Sequence, residues 1–239
     1  MASNVHGLET TGADSENWNL AGAVLADESF SKQLGEAVNR VDRAFVKLLV
    51  EEGRKTITKE TYIEALTKQL AVTVENNSPG DYVLRLLLQA GAQIDAQAGN
   101  GQTVLFFACT SDKKDSVKEL LKYKPDLGLV VNDETCLSIA VSRGCSGIAM
   151  MLLDAGTNPY HHTTREANRY LLHECVKHNL EGVLRSLLLY NIQIEEIDSL
   201  GRTALNCITS ATGAPIFELL INRGASVNTV NRDENTPLS

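Results

Sequence analysis

The sequence predicts an all-α solenoid, a stack of short helix–turn–helix units that repeats along most of the 239 residues. The first observation is a recurring phrase anchored on a threonine or its substitute, at Thr103, Thr135, Tyr170, Thr203 and Thr236. Successive anchors are 32, 35, 33 and 33 residues apart. A period near 33 indicates helical units that each bury an apolar face against their neighbours.

The second observation is the residue that ends each second helix, a few positions after a pair of large aliphatic residues. These terminators are Gly91, Lys124, Gly156, Asn191 and Gly224, which are 33, 32, 35 and 33 residues apart. Glycine and asparagine suit this position because it often needs a positive φ. Lys124 does not, so Pro125 is expected to stop that helix instead.

Before the repeats, the sequence predicts a tail and a helical cap. Residues 1–17 are rich in Ser, Gly, Thr, Asp and Asn and are expected to be disordered. Residues 18–54 are assigned to an N-terminal helical cap, in which apolar residues spaced by three and four predict one long helix from Asp27 to Val50. Gly53 is expected to end this helix. The same helix is a candidate for self-association.

The repeat domain is assigned to residues 55–239, with units at about 60–97, 98–130, 131–164, 165–197 and 198–230 and a partial unit at 231–239. In the first unit, Thr61 and Glu64 form a capping-box pattern that predicts a helix to about Ala71. The connection at 210–215 in the fifth unit is irregular. Because the chain stops inside a unit, we expect the natural protein to continue beyond Ser239.

These units resemble ankyrin repeats over about residues 80–239. The family phrase, roughly Asp-x-x-Gly-x-Thr-Pro-Leu-His-x-Ala-Ala, is carried by Gly101, Thr103, Leu105 and Ala108; by Thr135, Leu137 and Ala140; by Leu172 and His173; by Asp198, Gly201, Thr203 and Leu205; and by Thr236, Pro237 and Leu238. The family's proline is replaced at Val104, Cys136, Leu171 and Ala204, and its histidine at Phe106, Ser138 and Asn206. The resemblance therefore implies that some hydrogen bonds between the anchor and the helix start are missing.

Composition restricts the partner and the compartment. The net charge of -8 argues against unaided binding to nucleic acid, because phosphate needs an excess of Lys and Arg. The five cysteines are odd in number, and most of them fall at core-type positions, which is typical of a reducing compartment. No apolar stretch approaches the roughly 20 residues of a membrane span, and no signal-peptide pattern is visible. The sequence thus predicts a cytoplasmic location, with the nucleus as the alternative.

The sequence carries little that resembles catalytic or metal chemistry. His173, Cys175 and His178 invite a zinc interpretation. However, His173 holds the structural histidine position of the resembled family, and His173 and His178 are five residues apart. There is no Gly-x-Ser-x-Gly elbow and no glycine-rich phosphate loop. We expect no enzyme activity, no metal and no cofactor in this segment.

The resemblance implies a binding surface on the concave face of the stack, formed by turn tips and first helices. The partner-binding candidates carried over are Asn100, Gln102, Phe107, Ser111, Asn132, Glu134, Ile139, Arg143, Arg169, Lys177, His178, Leu200 and Arg202. Among them, Arg143, Arg169 and Arg202 are expected to project from successive units. Phe107, Ile139 and Leu200 are expected to be exposed apolar anchors.

The resulting prediction is a non-enzymatic protein–protein interaction module that binds a protein partner of unknown identity. The module is expected to be the N-terminal part of a longer protein. The alternative is an ankyrin region that regulates a larger enzyme, channel or immune-type receptor in cis.

Overall fold

The computed structural model describes residues 27–76, 82–98, 101–160, 170–190, 192–209 and 212–237. Within these ranges the chain forms eleven α-helices and one 3-10 helix. The α-helices are α1 (Asp27–Asn39), α2 (Arg43–Thr56), α3 (Lys59–Glu75), α4 (Tyr82–Gln89), α5 (Val104–Thr110), α6 (Lys114–Leu121), α7 (Cys136–Ser142), α8 (Ser146–Asp154), α9 (Leu171–Lys177), α10 (Glu181–Leu187) and α11 (Ala214–Asn222). The 3-10 helix spans Leu205–Cys207. The tail predicted to be disordered lies outside the described residues.

The helices form a ladder of pairs, which confirms the predicted all-α solenoid. The pairs are α3 with α4, α5 with α6, α7 with α8, α9 with α10, and the 3-10 helix with α11. First helices pack on first helices from α3 through α9 to the 3-10 helix, and second helices pack likewise from α6 to α11. Fully buried leucines in each pair, such as Leu84, Leu105, Leu137 and Leu184, form one continuous core along the ladder. Each pair is thus covered by its neighbours rather than by a single central core.

Each unit uses positive-φ residues at repeating positions. Two positions before the anchor, φ is +76° at Gly101, +63° at Asp133, +73° at Gly201 and +61° at Glu234. Between the two helices it is +50° at Asp112, +72° at Gly144 and +54° at Asn179. After the second helix it is +109° at Gly91, +53° at Lys124, +96° at Gly156 and +88° at Gly224. Lys124 therefore adopts the conformation of the terminator glycines, although the sequence analysis expected Pro125 to end the helix in its place.

The prediction of a single helix from Asp27 to Val50 is wrong, because the chain forms two helices there, α1 and α2. The break follows Asn39, where Val41 has φ +56°. The Val41 amide donates to the Val38 carbonyl and the Asp42 amide to the Ala37 carbonyl, both at 3.0 Å. These two hydrogen bonds form a Schellman cap at the C-terminus of α1. The Asp42 carboxylate then caps the start of α2, because it accepts a hydrogen bond from the Phe45 amide at 3.0 Å.

The α1–α2 pair packs on the ladder as a further pair would, with α1 against α3 and α2 against α4. Phe30, Leu34, Val46 and Leu49 are buried in this contact. Most of the apolar stripe that suggested self-association is therefore covered within the chain itself, although Leu48 stays 41% exposed.

Two local predictions in this region are also wrong. Gly53 does not end a helix, because it lies inside α2, and a Cβ there would come within 2.5 Å of the Phe30 ring. Its role is to allow α1 and α2 to approach closely. The third helix begins at Lys59 after Thr58, not at Thr61, and it continues beyond Ala71 to Glu75.

The fifth unit departs most from the repeat. Its first helix is reduced to the 3-10 turn, because the chain becomes extended at Ile208, with φ -67° and ψ 135°. The second helix, α11, is regular and has Pro215 in its first turn, where a missing amide proton costs nothing. The irregular connection predicted at 210–215 falls at this point, and its residues 210 and 211 lie outside the described chain.

Candidate partner-binding surface

Between consecutive units the chain forms short hairpins, which we call fingers. Four are described: finger I (93–102, described apart from 99–100), finger II (126–134), finger III (193–202) and finger IV (226–235). A hydrogen bond from a backbone amide to a backbone carbonyl closes each of fingers I, III and IV. The bonds run from Ala98 to Gln102 at 2.9 Å, from Asp198 to Arg202 at 2.9 Å and from Asn231 to Asn235 at 3.0 Å. In finger II the hairpin loop is one residue shorter, because the Val131 amide donates to the Glu134 carbonyl. Its Asn132–Asp133 turn has positive φ at both residues, as a type I′ hairpin requires.

The anchor threonines join each finger to the helix that follows it. The hydroxyl of Thr103 accepts from the Phe106 amide at 3.2 Å and that of Thr135 from the Ser138 amide at 3.0 Å. Thr203 accepts from the Asn206 amide at 3.4 Å. Tyr170 makes no side-chain cap at the start of α9. The anchor therefore positions the finger in three described units and is replaced in the fourth.

The histidine position of the phrase ties one unit to the next. His173 donates from Nε2 to the Arg202 carbonyl at 2.9 Å, and Asn206 donates from Nδ2 to the Thr229 carbonyl at 3.3 Å. Each bond runs from the start of a first helix to the next finger. The structural role predicted for His173 is confirmed, and Asn206 performs the same role with a different side chain.

Finger III is stabilised by an internal ion pair. Arg202 Nη2 lies 2.8 Å from Asp198 Oδ2, and the backbone amides of Leu200 and Arg202 both donate to Asp198 Oδ1 at 2.9 Å. Partial burial raises the pKa of the Asp198 carboxyl, but these hydrogen bonds outweigh it and hold the pKa below its ordinary value. Asp198 is therefore ionised at neutral pH, and Arg202 is held within its own finger.

A groove with a volume of about 1010 Å³ lies in the angle between finger I and the first helices α3 and α5. Its floor is apolar and includes Ile63 and Leu70 of α3 and Val104 and Phe107 of α5. Its rim is charged and polar: Lys59, Glu60, Glu64, Lys68, Gln93, Gln97 and Gln102. A half-buried apolar floor with a polar rim is typical of a site that receives another molecule.

The structure distributes the predicted contact residues over three places. On the fingers lie Gln102, Asn132, Glu134, Leu200 and Arg202; on the first helices lie Phe107 and Ile139; and at the C-terminal turns of the first helices lie Ser111, Arg143, Lys177 and His178. Asn100 and Arg169 lie outside the described residues. Only Gln102 and Phe107 contribute to the groove. The predicted set is therefore spread over the surface rather than gathered at one site.

One expectation about this set is wrong. Ile139 is only 8% exposed, so it is not an exposed anchor; Phe107 is half-buried, and Leu200, at 52%, is well exposed. Arg143 follows α7, whereas Arg202 precedes the 3-10 helix, so the two lie at opposite ends of the first-helix layer. The expectation that Arg143, Arg169 and Arg202 project from successive units stays a prediction.

Lys177 and His178 share an acidic neighbour. Lys177 Nζ lies 3.2 Å from one Glu174 oxygen, and His178 Nε2 lies 3.4 Å from the same oxygen. These two residues are thus partly engaged within α9. The described residues contain no group of three or more His, Cys, Asp and Glu side chains placed to hold a metal ion. His161 and His162 fall outside that part of the chain.

The groove residues of α3, among them Ile63, Thr67 and Lys68, were not predicted from the sequence. The signal was present in the length of this helix, which has 17 residues against seven in α5, α7 and α9. A longer first helix extends beyond its neighbour and leaves part of its side uncovered.

The buried thiols are in the wrong state for nucleophilic chemistry. The pKa of Cys109 is raised well above its ordinary value, mainly by a hydrogen bond with Cys136 and also by burial. Burial raises the pKa of Cys175. All five cysteines are free. Cys109 and Cys175 are therefore protonated at neutral pH and pack as small apolar residues.

Paired helices, hairpin fingers and a preformed groove define a helical-repeat protein that presents one extended surface. Residues 70–163 match the sequence profile of ankyrin repeats, in three copies. The chain thus contains ankyrin repeats, as its sequence phrase predicted. Among the described residues, no helix combines the length and apolarity that crossing a membrane requires.

Known proteins with the same repeats are similar over much of the chain. The B-cell lymphoma 3 protein homolog of Mus musculus is 27% identical over 161 residues, which cover 65% of this chain and 36% of that protein. The ankyrin repeat domain of Bcl-3, a member of the IkappaB family, superposes with a TM-score of 0.65 at 24% identity over 86% of this chain and 92% of that one. A chain from the complex of the Bd0816 predatory endopeptidase of Bdellovibrio bacteriovorus with immunity protein Bd3460 superposes with a TM-score of 0.58 at 28% identity. The superposition covers 72% of this chain and 89% of that one. The chain thus spans about a third of the mouse relative.

Proposed function

We propose that this chain is a non-enzymatic module that binds a protein partner across its fingers and first helices. The observation that carries the proposal is the groove of about 1010 Å³ between α3, α5 and finger I, with Ile63 and Phe107 on its floor. A protein side chain or short helix that fills such a groove removes apolar area from water. Each fully buried aliphatic or aromatic side chain contributes about 1.5–3 kcal/mol.

The rigidity of the fingers supports the same proposal. The cap at Thr135 and the cross-unit bond of His173 hold the binding elements before a partner arrives. A preformed surface loses little conformational entropy on binding, so more of the contact energy remains as affinity. One structural neighbour comes from a complex between two proteins, and it also supports this function. The free thiols favour a reducing compartment, the cytoplasm or nucleus.

The test compares partner capture by the unmodified chain, a groove variant and a control variant. The groove variant carries Ile63→Gln and Phe107→Gln, both half-buried positions on the groove floor. The control carries Leu189→Gln, a residue that is 77% exposed after α10, away from the groove. Captured proteins are quantified by mass spectrometry, and each is then purified and titrated directly against the three chains.

At least one captured protein is expected to bind the unmodified chain and the control alike and to lose about tenfold or more in affinity for the groove variant. Circular dichroism and thermal melting establish that the groove variant is folded. If a folded groove variant keeps every partner at unchanged affinity, the proposal that the groove binds a protein is wrong.

A further inference from the structure

Fingers III and IV form one joined surface near the end of the described ladder. The Arg232 amide in finger IV donates to the Leu200 carbonyl in finger III at 3.3 Å, and the Ser226 amide donates to Glu195 Oε1 at 2.8 Å. Asn206 adds a third tie through the Thr229 carbonyl. We call residues 193–202 and 226–235 together the finger III–IV surface. Two hydrogen bonds between the fingers and one from the 3-10 helix to finger IV hold this surface in place.

Three large aliphatic side chains are exposed on this surface. Ile197 is 50% exposed, Leu200 52% and Val230 58%. Ile197 and Val230 hold the same position, directly before the first paired residue of each hairpin, and Val130 holds it in finger II, where it is also exposed. One exposed aliphatic residue is ordinary, but a set on two fingers in contact marks an interaction surface.

The charges around these aliphatic residues are mostly negative. The finger III–IV surface carries five acidic residues, Glu195, Glu196, Asp198, Asp233 and Glu234, and two basic ones, Arg202 and Arg232, without a lysine. Arg202 is already paired with Asp198 at 2.8 Å. At the opposite end of the first helices the exposed charges include Arg143 and Lys177. The excess of negative charge on these fingers complements a cation.

We propose that the finger III–IV surface binds a partner segment in which aliphatic side chains lie beside lysine or arginine. The aliphatic side chains would pack on Ile197, Leu200 and Val230, and the cations would pair with the surrounding carboxylates. An acidic segment is excluded because like charges brought together at an interface oppose binding. This inference rests on the protein-binding function proposed above and adds the chemistry of the partner.

The test begins with a displayed library of random dodecapeptides selected against the full chain. The enriched peptides are expected to contain more Lys and Arg than Asp and Glu, together with at least one Leu, Ile or Val. The enriched peptides are then synthesised and titrated against the unmodified chain and the variants at two salt concentrations. Binding is expected to weaken as salt rises, because the ion pairs are exposed.

Two finger variants and two matched controls locate the binding site. The first finger variant, Ile197→Ser with Val230→Ser, removes two exposed aliphatic side chains from the finger III–IV surface. Its control, Leu48→Ser with Leu189→Ser, removes two exposed aliphatic side chains elsewhere on the protein. Asp233→Asn with Glu234→Asn removes two charges, and asparagine tolerates the φ of +61° at Glu234. Its control is Asp154→Asn with Glu218→Gln, at exposed positions on second helices. Each finger variant is expected to lower the affinity for the peptides about tenfold, and each control is expected to lower it less than about twofold.

Three results would overturn the inference: a selection without enrichment, a consensus rich in acidic residues, or basic peptides that bind the finger variants unchanged. These results leave the proposed function intact if a purified partner still depends on the groove residues Ile63 and Phe107. Loss of that dependence is the separate failure of the proposed function.

Discussion

At the residue scale, the repeat depends on positions where the backbone must adopt positive φ. Glycine is the residue without a steric penalty there, and the described chain uses it at Gly91, Gly156 and Gly224 after the second helices. Lys124 has φ +53° at the equivalent position. An L-residue in this conformation costs roughly 1–2 kcal/mol, so the second repeat stores strain that its neighbours do not.

Lys124→Gly is therefore expected to raise the free energy of unfolding by about 1 kcal/mol, measured by urea denaturation. The same replacement at Lys118, an exposed residue within α6, serves as the control. Lys118→Gly is expected to lower the free energy by about 1 kcal/mol, because glycine disfavours the helix interior. Equal signs for the two variants would contradict the role assigned to φ at Lys124.

The sequence predicted the residues whose role depends on local geometry and missed those whose role depends on neighbours. Thr103, Thr135 and the structural role of His173 follow from the phrase alone. The burial of Ile139 does not, because α7 lies between α5 and α9 and also packs on α8. Such a helix is covered on most of its circumference, and only the assembled ladder shows which narrow face stays open.

At the element scale, the starts of the first helices differ in how well they are capped. The start of α7 has a reciprocal cap: Thr135 Oγ1 accepts from the Ser138 amide at 3.0 Å, and the Thr135 amide donates to Ser138 Oγ at 2.8 Å. Both residues are buried, so neither bond can be replaced by water. The capping box therefore holds finger II and α7 as one element.

Thr135→Ala is expected to lower the free energy of unfolding by about 1–2 kcal/mol, because the Ser138 amide loses its acceptor in a buried place. Ser142→Ala is the control: this half-buried residue is the last of α7, and its hydroxyl donates to the Ile139 carbonyl, which the helix already engages. A change below about 0.5 kcal/mol is expected there. If calorimetry gave the two variants the same stability, the cap would not stabilise this unit.

The division between α1 and α2 shows why the ends of elements were harder to predict than the elements. Apolar residues continue in helical spacing across the break, so the pattern reads as one helix. The chain turns at Val41, a β-branched residue that disfavours φ +56°. The Schellman bonds and the packing of both helices on α3 and α4 outweigh that local preference.

At the scale of the whole molecule, each helix pair among the described residues packs mainly on the pairs on either side of it. Contacts run from α1 to α3, α5, α7 and α9, and no other long-range pairing of helices dominates among the described residues. Stability in such a ladder is approximately a sum of unit terms and interface terms between neighbours. The period predicted this architecture because it repeats a local rule, whereas the groove beside finger I arises from the length of α3, which has 17 residues.

The last prediction follows from this one-dimensional coupling. Phe30 is fully buried in α1, stacked on Tyr62 of α3 with ring centroids 5.8 Å apart. Phe30→Ala is expected to cost about 3–5 kcal/mol, because it leaves a cavity between the α1–α2 pair and the next unit. Hydrogen exchange followed by mass spectrometry should show faster exchange in α1, α2 and α3 and unchanged protection in α9 and α10.

Leu184→Ala supplies the mirror experiment, because Leu184 is fully buried in α10 at the other end of the ladder. Its loss of about 2–5 kcal/mol is expected to accelerate exchange in α8, α9, α10 and α11 and to leave α1 and α2 protected. If both variants instead accelerated exchange equally in every helix, the chain would unfold as one cooperative body. Neighbour-only coupling would then be insufficient, and stabilising the α1–α2 pair would have to raise the stability of the fingers as well.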